Sequence, residues 1–221
     1  PHFAHEALLV GTEGKLSKRL GSLGMASLRD EGIEPIALAA LLARLGTSDP
    51  VEPVTSLTPL IEHIDFARFG RAPARFEEAE LALLNQKILH DTDYAAVADR
   101  LPAAITAARW HAIRPNLMTV AEAADWVAVF DGPLSPPPAD EADRAVLAAA
   151  AAAAPAIDWS TDPWHALTAA AKEATGAKGR SLFLPLRRAL TGRDHGPDMA
   201  ELLPLIAKDQ AVARLTVAAA G

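Results

Sequence analysis

The sequence contains no cysteine among its 221 residues. Without thiols the chain can form neither a disulfide framework nor a thiolate metal site, so both are excluded. The absence is consistent with a reducing compartment, and we therefore expect a cytoplasmic protein.

Long apolar runs and glycine-rich nucleotide motifs are also missing. No stretch approaches the ~20 apolar residues that a membrane-spanning helix needs, and the chain starts at Pro1 without an initiator methionine or an apolar signal segment. It contains neither a dinucleotide-binding fingerprint nor a P-loop. We expect a soluble fragment of a longer protein, with no membrane as a partner.

Aromatic residues make up only 5% of the chain, whereas alanine is abundant. This composition, with few β-branched runs, favours helix over sheet. With 50% hydrophobic residues the chain can build one large or two small cored domains. We predict an all-α fold, a helical bundle or cage preceded by a short N-terminal strand.

Apolar periodicity and helix-breaking prolines divide the chain into short elements. The proline-rich stretch 132–138 is the clearest boundary, and Asp162-Pro163 is typical of a helix start. A strand is predicted at residues 7–10, with its sheet neighbours outside the chain. Helices are predicted at residues 34–46, 57–63, 77–90, 94–101, 103–113, 119–129, 140–154 and 163–175.

Several aromatic and polar side chains admit a structural or a functional interpretation. Trp110, His111 and Trp126 lie at helical spacing among small apolar residues, which favours core packing over base stacking. Asn85 has poor helix propensity, so its position within a helix indicates a hydrogen bond to the backbone of a neighbouring loop. In residues 64–76 the phenylalanines alternate with arginines, as in RNA sites, although core packing is favoured for the rings. This segment contains Phe66, Phe69, Phe76, Arg68, Arg71 and Arg75.

A short basic segment, Lys15-Leu16-Ser17-Lys18-Arg19, follows the predicted N-terminal strand. Two lysines around a serine, among glycines that free the backbone, suit a triphosphate or pyrophosphate, because lysine acts as a point charge. Considered alone, such a segment is more often a solvated surface loop.

A second basic segment lies between Lys172 and Arg193, with six basic residues against one acid. The chain's net charge of −7 argues against a nucleic-acid partner, but a local patch of this kind can still hold phosphates. Glycines at 176 and 179 would present Lys178 and Arg180 on a loop, with Arg187 and Arg188 in a following helix. A solvated basic face is the alternative.

Three segments in order resemble bacterial glutamyl-tRNA synthetases, which are class I aminoacyl-tRNA synthetases. Residues 15–19 resemble the KMSKS loop, and residues 72–90 resemble a Pro-Ala-x-Phe turn followed by a Leu-x-x-Leu-Asn helix. Residues 178–197 resemble Lys-Gly-Arg-x-Leu-Phe-x-Pro-Leu-Arg-x-Ala-Leu-Thr-Gly-x-x-x-Gly-Pro. The resemblance covers essentially the whole chain.

The resemblance implies the C-terminal part of an enzyme that activates glutamate with ATP, assisted by Mg, and transfers it to tRNA-Glu and possibly tRNA-Gln. The Rossmann-type domain with the HIGH motif is not in the sequence, so the fragment alone is expected to be inactive and monomeric. The implied parts are the end of the catalytic domain with a stem-contact region (1–70) and two helical anticodon-binding subdomains (71–135 and 136–221).

The same resemblance assigns roles to individual residues. Catalytic roles fall on Lys18 and Lys15, and ATP contacts on Lys15, Ser17, Lys18 and Arg19. No resident metal ligand is implied. The residues expected to contact tRNA are Arg71, Arg75, Lys178, Arg180, Arg187, Arg188 and Arg193.

Two other classes of protein remain open on sequence alone. A stand-alone RNA-binding module would use the same basic segment but would not need a KMSKS-like loop. An α-helical protein-interaction scaffold would explain the alanine-rich amphipathic helices and the acidic balance, and it predicts no tRNA binding.

Overall fold

A computed structural model describes residues 8–11, 14–15, 24–134 and 139–221. Helices dominate this part of the chain, so the predicted all-α class is confirmed. The chain divides into two compact units. Unit 1 comprises Pro1–Arg100 and Leu117–Glu122, and unit 2 comprises Leu101–Asn116 and Ala123–Gly221. The functional division at residues 70 and 135 stays a prediction.

Unit 1 contains a small three-stranded sheet. Strand β1 (Leu9–Gly11) pairs antiparallel with β2 (Gly14–Lys15) and parallel with β3 (Ala74–Arg75), in the order β2-β1-β3. The prediction that β1 has its sheet neighbours outside the chain is therefore wrong. Its parallel partner comes from a distant two-residue segment, and a segment so short has no periodicity to read.

The helices of unit 1 pack around a cluster of aliphatic side chains. Leu41, Leu81 and Ile88 are fully buried in this cluster, and Phe76 covers one side of it. Along the helix predicted at residues 77–90, Leu81, Leu84 and Ile88 are all buried and form one stripe at helical spacing. The helices are α1 (Met25–Asp30), α2 (Pro35–Leu42), α3 (Thr58–His63) and α4 (Glu78–Asp91).

Asn85 on α4 binds the backbone of two neighbouring segments, as its unfavourable propensity predicted. Its side chain is 0% exposed. Oδ1 accepts a hydrogen bond from the N–H of Glu34 at 2.8 Å, and Nδ2 donates to the carbonyl of Met118 at 2.8 Å. One amide group therefore ties α4 to the start of α2 and to residues 117–122.

The helices of unit 2 pack around α7, which contacts α8, α9 and α11. Local signals explain where two of them begin: Asp140 caps α7 and Asp162 caps α8, each accepting a backbone N–H with its carboxylate. The helices are α5 (Ala107–Ile113), α6 (Val127–Asp131), α7 (Glu141–Ala153), α8 (Pro163–Thr175), α9 (Arg180–Thr191), α10 (Met199–Leu202) and α11 (Lys208–Ala220).

Two predicted α-helices are wrong. Residues 94–101 contain two 3-10 turns, Tyr94–Ala96 and Ala98–Arg100, because Val97 between them has φ −129° and ψ −6°, outside the α-helical region. Residues 119–129 form a 3-10 run, Val120–Trp126, that leads into α6. Glu122 accepts the N–H of Met118 there, which satisfies a backbone donor just before the 3-10 run begins.

The interpretation of aromatic residues as core is confirmed in part. Trp110, Trp126 and Phe76 are buried. His111 is exposed, so its assignment to the core is wrong, since it lies on the solvent face of α5 next to a buried tryptophan. Phe66 is also exposed, at 58%. Its ring packs against Phe69 in a tilted arrangement, with ring centroids 5.9 Å apart.

In the described segments, no helix is long and apolar enough to cross a lipid bilayer.

Candidate nucleic-acid interface

Helix α9 carries three of the basic residues singled out in the sequence, Arg180, Arg187 and Arg188. It follows Gly176, which ends α8 in the left-handed conformation at φ 72°, and Gly179, which has φ 57°. Both positive φ values favour glycine, and a Cβ at either position would meet nothing within 4 Å. The loop therefore turns the chain between the two helices and leaves Lys178 exposed to solvent.

Lys178 and Arg180 are exposed at the N-terminal end of α9. Neither forms an ion pair within the described residues, although the charge of Arg180 contributes to lowering the pKa of Asp194. Gly179 supplies no side-chain cap, so the first-turn N–H groups of α9 are not capped by that residue. Two exposed cations and a helix N-terminus form an electrostatically favourable place for a phosphate.

Arg193 covers Trp126, and Arg187 lies nearby, because the indole and Nη1 of Arg187 would both lie within 4 Å of a Cβ at Gly196. The guanidinium of Arg193 lies 4.5 Å from the centroid of the indole and donates to the carbonyl of Asp125 at 3.1 Å. Arg187 is half-buried and donates to the carbonyl of Pro197 at 3.0 Å. Burial lowers the pKa of Arg187, with Asp198 acting in the opposite direction. The two arginines are thus held in fixed orientations by backbone and ring contacts.

Gly196 makes this arrangement possible. Its φ is 144°, and a Cβ there would lie 2.8 Å from the indole of Trp126. A side chain at this position would displace the ring that Arg193 covers. The Gly-Pro pair at 196–197 therefore supports the arginine cluster through close approach as well as backbone conformation.

Arg188 faces a different neighbour. It forms a bidentate ion pair with Asp194, with Nε to Oδ1 at 2.6 Å and Nη2 to Oδ2 at 2.8 Å. The hydrogen bond from Arg188 lowers the pKa of Asp194, and the same bond raises the pKa of Arg188. An arginine already bound to a carboxylate is a weaker phosphate ligand than Arg180, because the ion pair must first be broken.

Arg71 and Arg75 belong to unit 1 and are exposed. Within the part of the chain that the structure describes, neither side chain forms an ion pair or a hydrogen bond, whereas the nearby Arg68 is paired with Asp49. Arg75 lies on β3, which fixes its backbone beside Val10 of β1.

Of the residues predicted to bind ATP, the structure describes only Lys15. Ser17, Lys18 and Arg19 lie outside the described residues. The backbone of Lys15 is in β2, paired with Val10 of β1, so a second strand that was not predicted reaches the basic segment. Across residues 8–11, 14–15, 24–134 and 139–221, no group of three histidine or acidic side chains could hold a metal ion.

No role was predicted from the sequence for Arg214, which is a buried cation. Arg214 on α11 is 6% exposed and donates to four backbone carbonyls: Val129 and Leu190 at 2.7 and 2.8 Å, and Ala128 and Gly132 at 3.1 and 2.8 Å. The signal was available, because positions 211, 214, 215 and 218 form one helical stripe in which the other three are apolar and buried.

Residues 59–219 match the protein family described as an anticodon binding domain. The chain belongs to this anticodon-binding family. The match covers the part of unit 1 that follows the start of α3, and it includes the basic helix α9. The arginines described above therefore lie inside the family region.

Curated relatives of the chain are named as glutamate–tRNA ligases. The chain is 83% identical over 218 residues to Glutamate–tRNA ligase 2 of Sphingopyxis alaskensis and 66% identical over 219 residues to Glutamate–tRNA ligase 1 of Rhizorhabdus wittichii. In each case 99% of this chain is covered, but the chain spans only about half the length of the relative, 50% and 49%. The matched part is the C-terminal, anticodon-binding part.

Solved structures support the same fold. A crystal structure of a glutamate tRNA ligase from Elizabethkingia meningosepticum, in complex with its amino acid, matches with a TM-score of 0.76. It is 22% identical, and the match covers 100% of this chain and 51% of that one. A glutamate-tRNA synthetase from Elizabethkingia anophelis matches with a TM-score of 0.75. The helical arrangement thus persists at low sequence identity.

Proposed function

We propose that the chain binds tRNA as the anticodon-binding part of a glutamate–tRNA ligase. The observation that carries the proposal is the cation array at α9, in which Lys178 precedes the helix and Arg180 and Arg187 lie on it, all inside the family match. Helical spacing puts Arg180 and Arg187 on the same side, two turns apart, which suits two phosphates of one strand.

The proposed tRNA contacts differ in how much rearrangement binding requires. Lys178 and Arg180 are free to reach phosphates, and so are Arg71 and Arg75 in unit 1. Arg187 is held by the carbonyl of Pro197, whereas Arg193 is held by the carbonyl of Asp125 and by Trp126, which suits a directional contact to a base by the guanidinium fork. Arg188 has to leave Asp194, so it is the weakest candidate of the set.

The catalytic assignments extend the proposal to the full-length parent. There, Lys18 and Lys15 would stabilise charge on the phosphates of ATP during glutamyl-adenylate formation, with Ser17 and Arg19 shaping the phosphate contacts. ATP with Mg, glutamate and tRNA-Glu, possibly with tRNA-Gln, are the substrates and partners we propose for that parent. Its place of action would be the cytoplasm, and the isolated chain would be a monomer without activation chemistry.

The experiment is a salt series of binding by the 221-residue chain. Fluorescently labelled anticodon stem-loops of tRNA-Glu and of a tRNA for an unrelated amino acid are titrated at several salt concentrations. We expect tighter binding of the glutamate stem-loop and an affinity that falls steeply as salt rises. The double variant Lys178→Ala with Arg180→Ala should reduce the slope of log affinity against log salt by about two contacts.

The control removes a cation elsewhere in unit 2. Arg144 is exposed on α7, outside the basic segment 172–193, and Arg144→Ala should keep most of the salt slope. Equal affinity for both stem-loops, unchanged by the substitutions on α9, would contradict the proposal. Absence of any RNA binding would instead favour the protein-interaction scaffold.

A further inference from the structure

Phe183 is an exposed aromatic residue in the middle of the basic helix. Its side chain is 46% exposed, whereas Leu182 and Leu186, on the core face of the same helix, are buried. Single exposed apolar residues are common on protein surfaces. This one is distinguished by its support and by the charges that flank it.

Trp164 supports the ring of Phe183 from α8. The two ring centroids are 6.1 Å apart with an interplanar angle of 38°, a tilted arrangement within the range of favourable aromatic pairs. Trp164 is itself half-buried at the first turn of α8, next to the buried Pro163. The phenyl ring is therefore held on one side and open to solvent on the other.

Arginines flank Phe183 on the same side of α9. Arg180 is three residues before it and Arg187 four residues after it, which are the spacings at which helical side chains become neighbours. The two arginine positions are about 10 Å apart along the helix axis. At ~3.4 Å per nucleotide along one strand, that distance corresponds to about three stacked nucleotides.

This pattern matches the chemistry by which proteins hold unpaired RNA. Cations follow the phosphates, and an aromatic face receives a base that is not stacked in a duplex. We infer that Phe183, supported by Trp164, is a stacking platform for one unpaired base of the RNA whose backbone contacts Arg180 and Arg187. The inference rests on the proposed tRNA-binding function and adds to it the residue that stacks the base.

An apolar contact of this kind has a signature different from that of the arginines. Removing a cation reduces the salt dependence of binding, whereas removing a stacked ring lowers affinity by a similar factor at every salt concentration. The two contributions can therefore be measured separately in the same titrations.

The test compares four variants of the 221-residue chain with the glutamate anticodon stem-loop. Phe183→Ala and Phe183→Leu remove the ring, and Leu keeps apolar bulk in case Ala disturbs folding. Phe183→Trp retains an aromatic face. Val217→Ala removes an exposed apolar residue from α11, outside the stripe, as the matched control. Thermal unfolding of each variant confirms that it is folded.

We expect Phe183→Ala and Phe183→Leu to weaken binding about 5- to 100-fold with an unchanged salt slope. Phe183→Trp and Val217→Ala should bind within about twofold of the parent chain. A stem-loop with 2-aminopurine at each loop position in turn should show quenching at one position, and Phe183→Leu should abolish that quenching.

Two failures are distinguishable. If the parent chain binds the stem-loop with the expected salt dependence but Phe183→Leu binds equally well and quenches equally, the platform is wrong and tRNA binding stands. If the parent chain does not bind any stem-loop, both the proposed function and the platform are wrong.

Discussion

Replacing Arg214 by methionine tests what holds the basic helix in place. Arg214 donates to carbonyls at the C-terminal ends of two helices, α6 and α9. The last four carbonyls of a helix have no partner within it, and a cation there also complements the helix dipole. The carbonyl of Val129 has a further reason to need Arg214, because the residue four positions on is Pro133, which has no N–H.

The expected loss of stability follows from the backbone carbonyls that would lose their hydrogen bond from Arg214. Ala128 also accepts the N–H of Gly132, and Gly132 also accepts from Gln210, so these two carbonyls keep a partner. Val129 and Leu190 lose the bonds from Arg214. A buried polar group left without a partner costs about 1–3 kcal/mol, so two such carbonyls cost about 2–6 kcal/mol. Burial lowers the pKa of Arg214, and part of that desolvation is recovered in the variant. We expect a net loss of about 2–5 kcal/mol.

Thermal unfolding followed by circular dichroism measures this loss. For a chain of this size the expected fall in Tm is about 5–20 °C for Arg214→Met. Arg214→Lys keeps the charge but cannot reach both helix ends with one ammonium, so an intermediate fall is expected. Lys172→Met, exposed on α8, is the control and should change the free energy of unfolding by no more than about 0.5 kcal/mol. A Tm for Arg214→Met within ~1 °C of the parent chain would refute the capping argument.

Two further predictions concern other described contacts. Asn85→Ala should lower stability by about 2–4 kcal/mol in chemical denaturation, because the N–H of Glu34 and the carbonyl of Met118 lose their partner, and Lys87→Ala on the same helix should have little effect. Hydrogen bonds from Arg109 and Arg188 lower the pKa values of Asp131 and Asp194, so their stabilisation is complete above the unfolded value of about 3.9 and is lost as the pH falls through the lower folded values. Unfolding curves between pH 6 and pH 2 should show this decline in the free energy of unfolding. The decline should be smaller in the double variant Asp131→Asn with Asp194→Asn. An identical acid dependence in parent and variant would contradict the assignment.

Local signals in the sequence predicted local structure well. Asp162, Pro163 and Gly176 mark the cap, first turn and end of α8, and the structure places all three in those roles. Each depends on residues within one or two helical turns, so the sequence alone carries the information. Asn85 was also predicted correctly, because a residue unfavourable in a helix needs a compensating contact.

Interactions between distant residues were harder to predict. The six basic residues of 172–193 look equivalent in the sequence, yet Arg188 is bound to Asp194 and Arg193 covers Trp126, 67 positions earlier. Which cation remains free for phosphate depends on those partners. The parallel pairing of β1 with β3 was missed for the same reason, since the partner is far along the chain and only two residues long.

The interruption of unit 2 by residues 117–122 has a consequence for dissecting the protein. The chain passes between the units at residues 100, 116 and 122, so no single cut separates them. A truncation after Arg100 would remove Met118 and leave the buried Nδ2 of Asn85 without its best acceptor. A truncation that begins at Leu101 would carry six residues whose packing partners are absent. Expression of isolated halves therefore calls for a loop replacement at 117–122 rather than a simple boundary, and limited proteolysis at one site should leave both pieces associated.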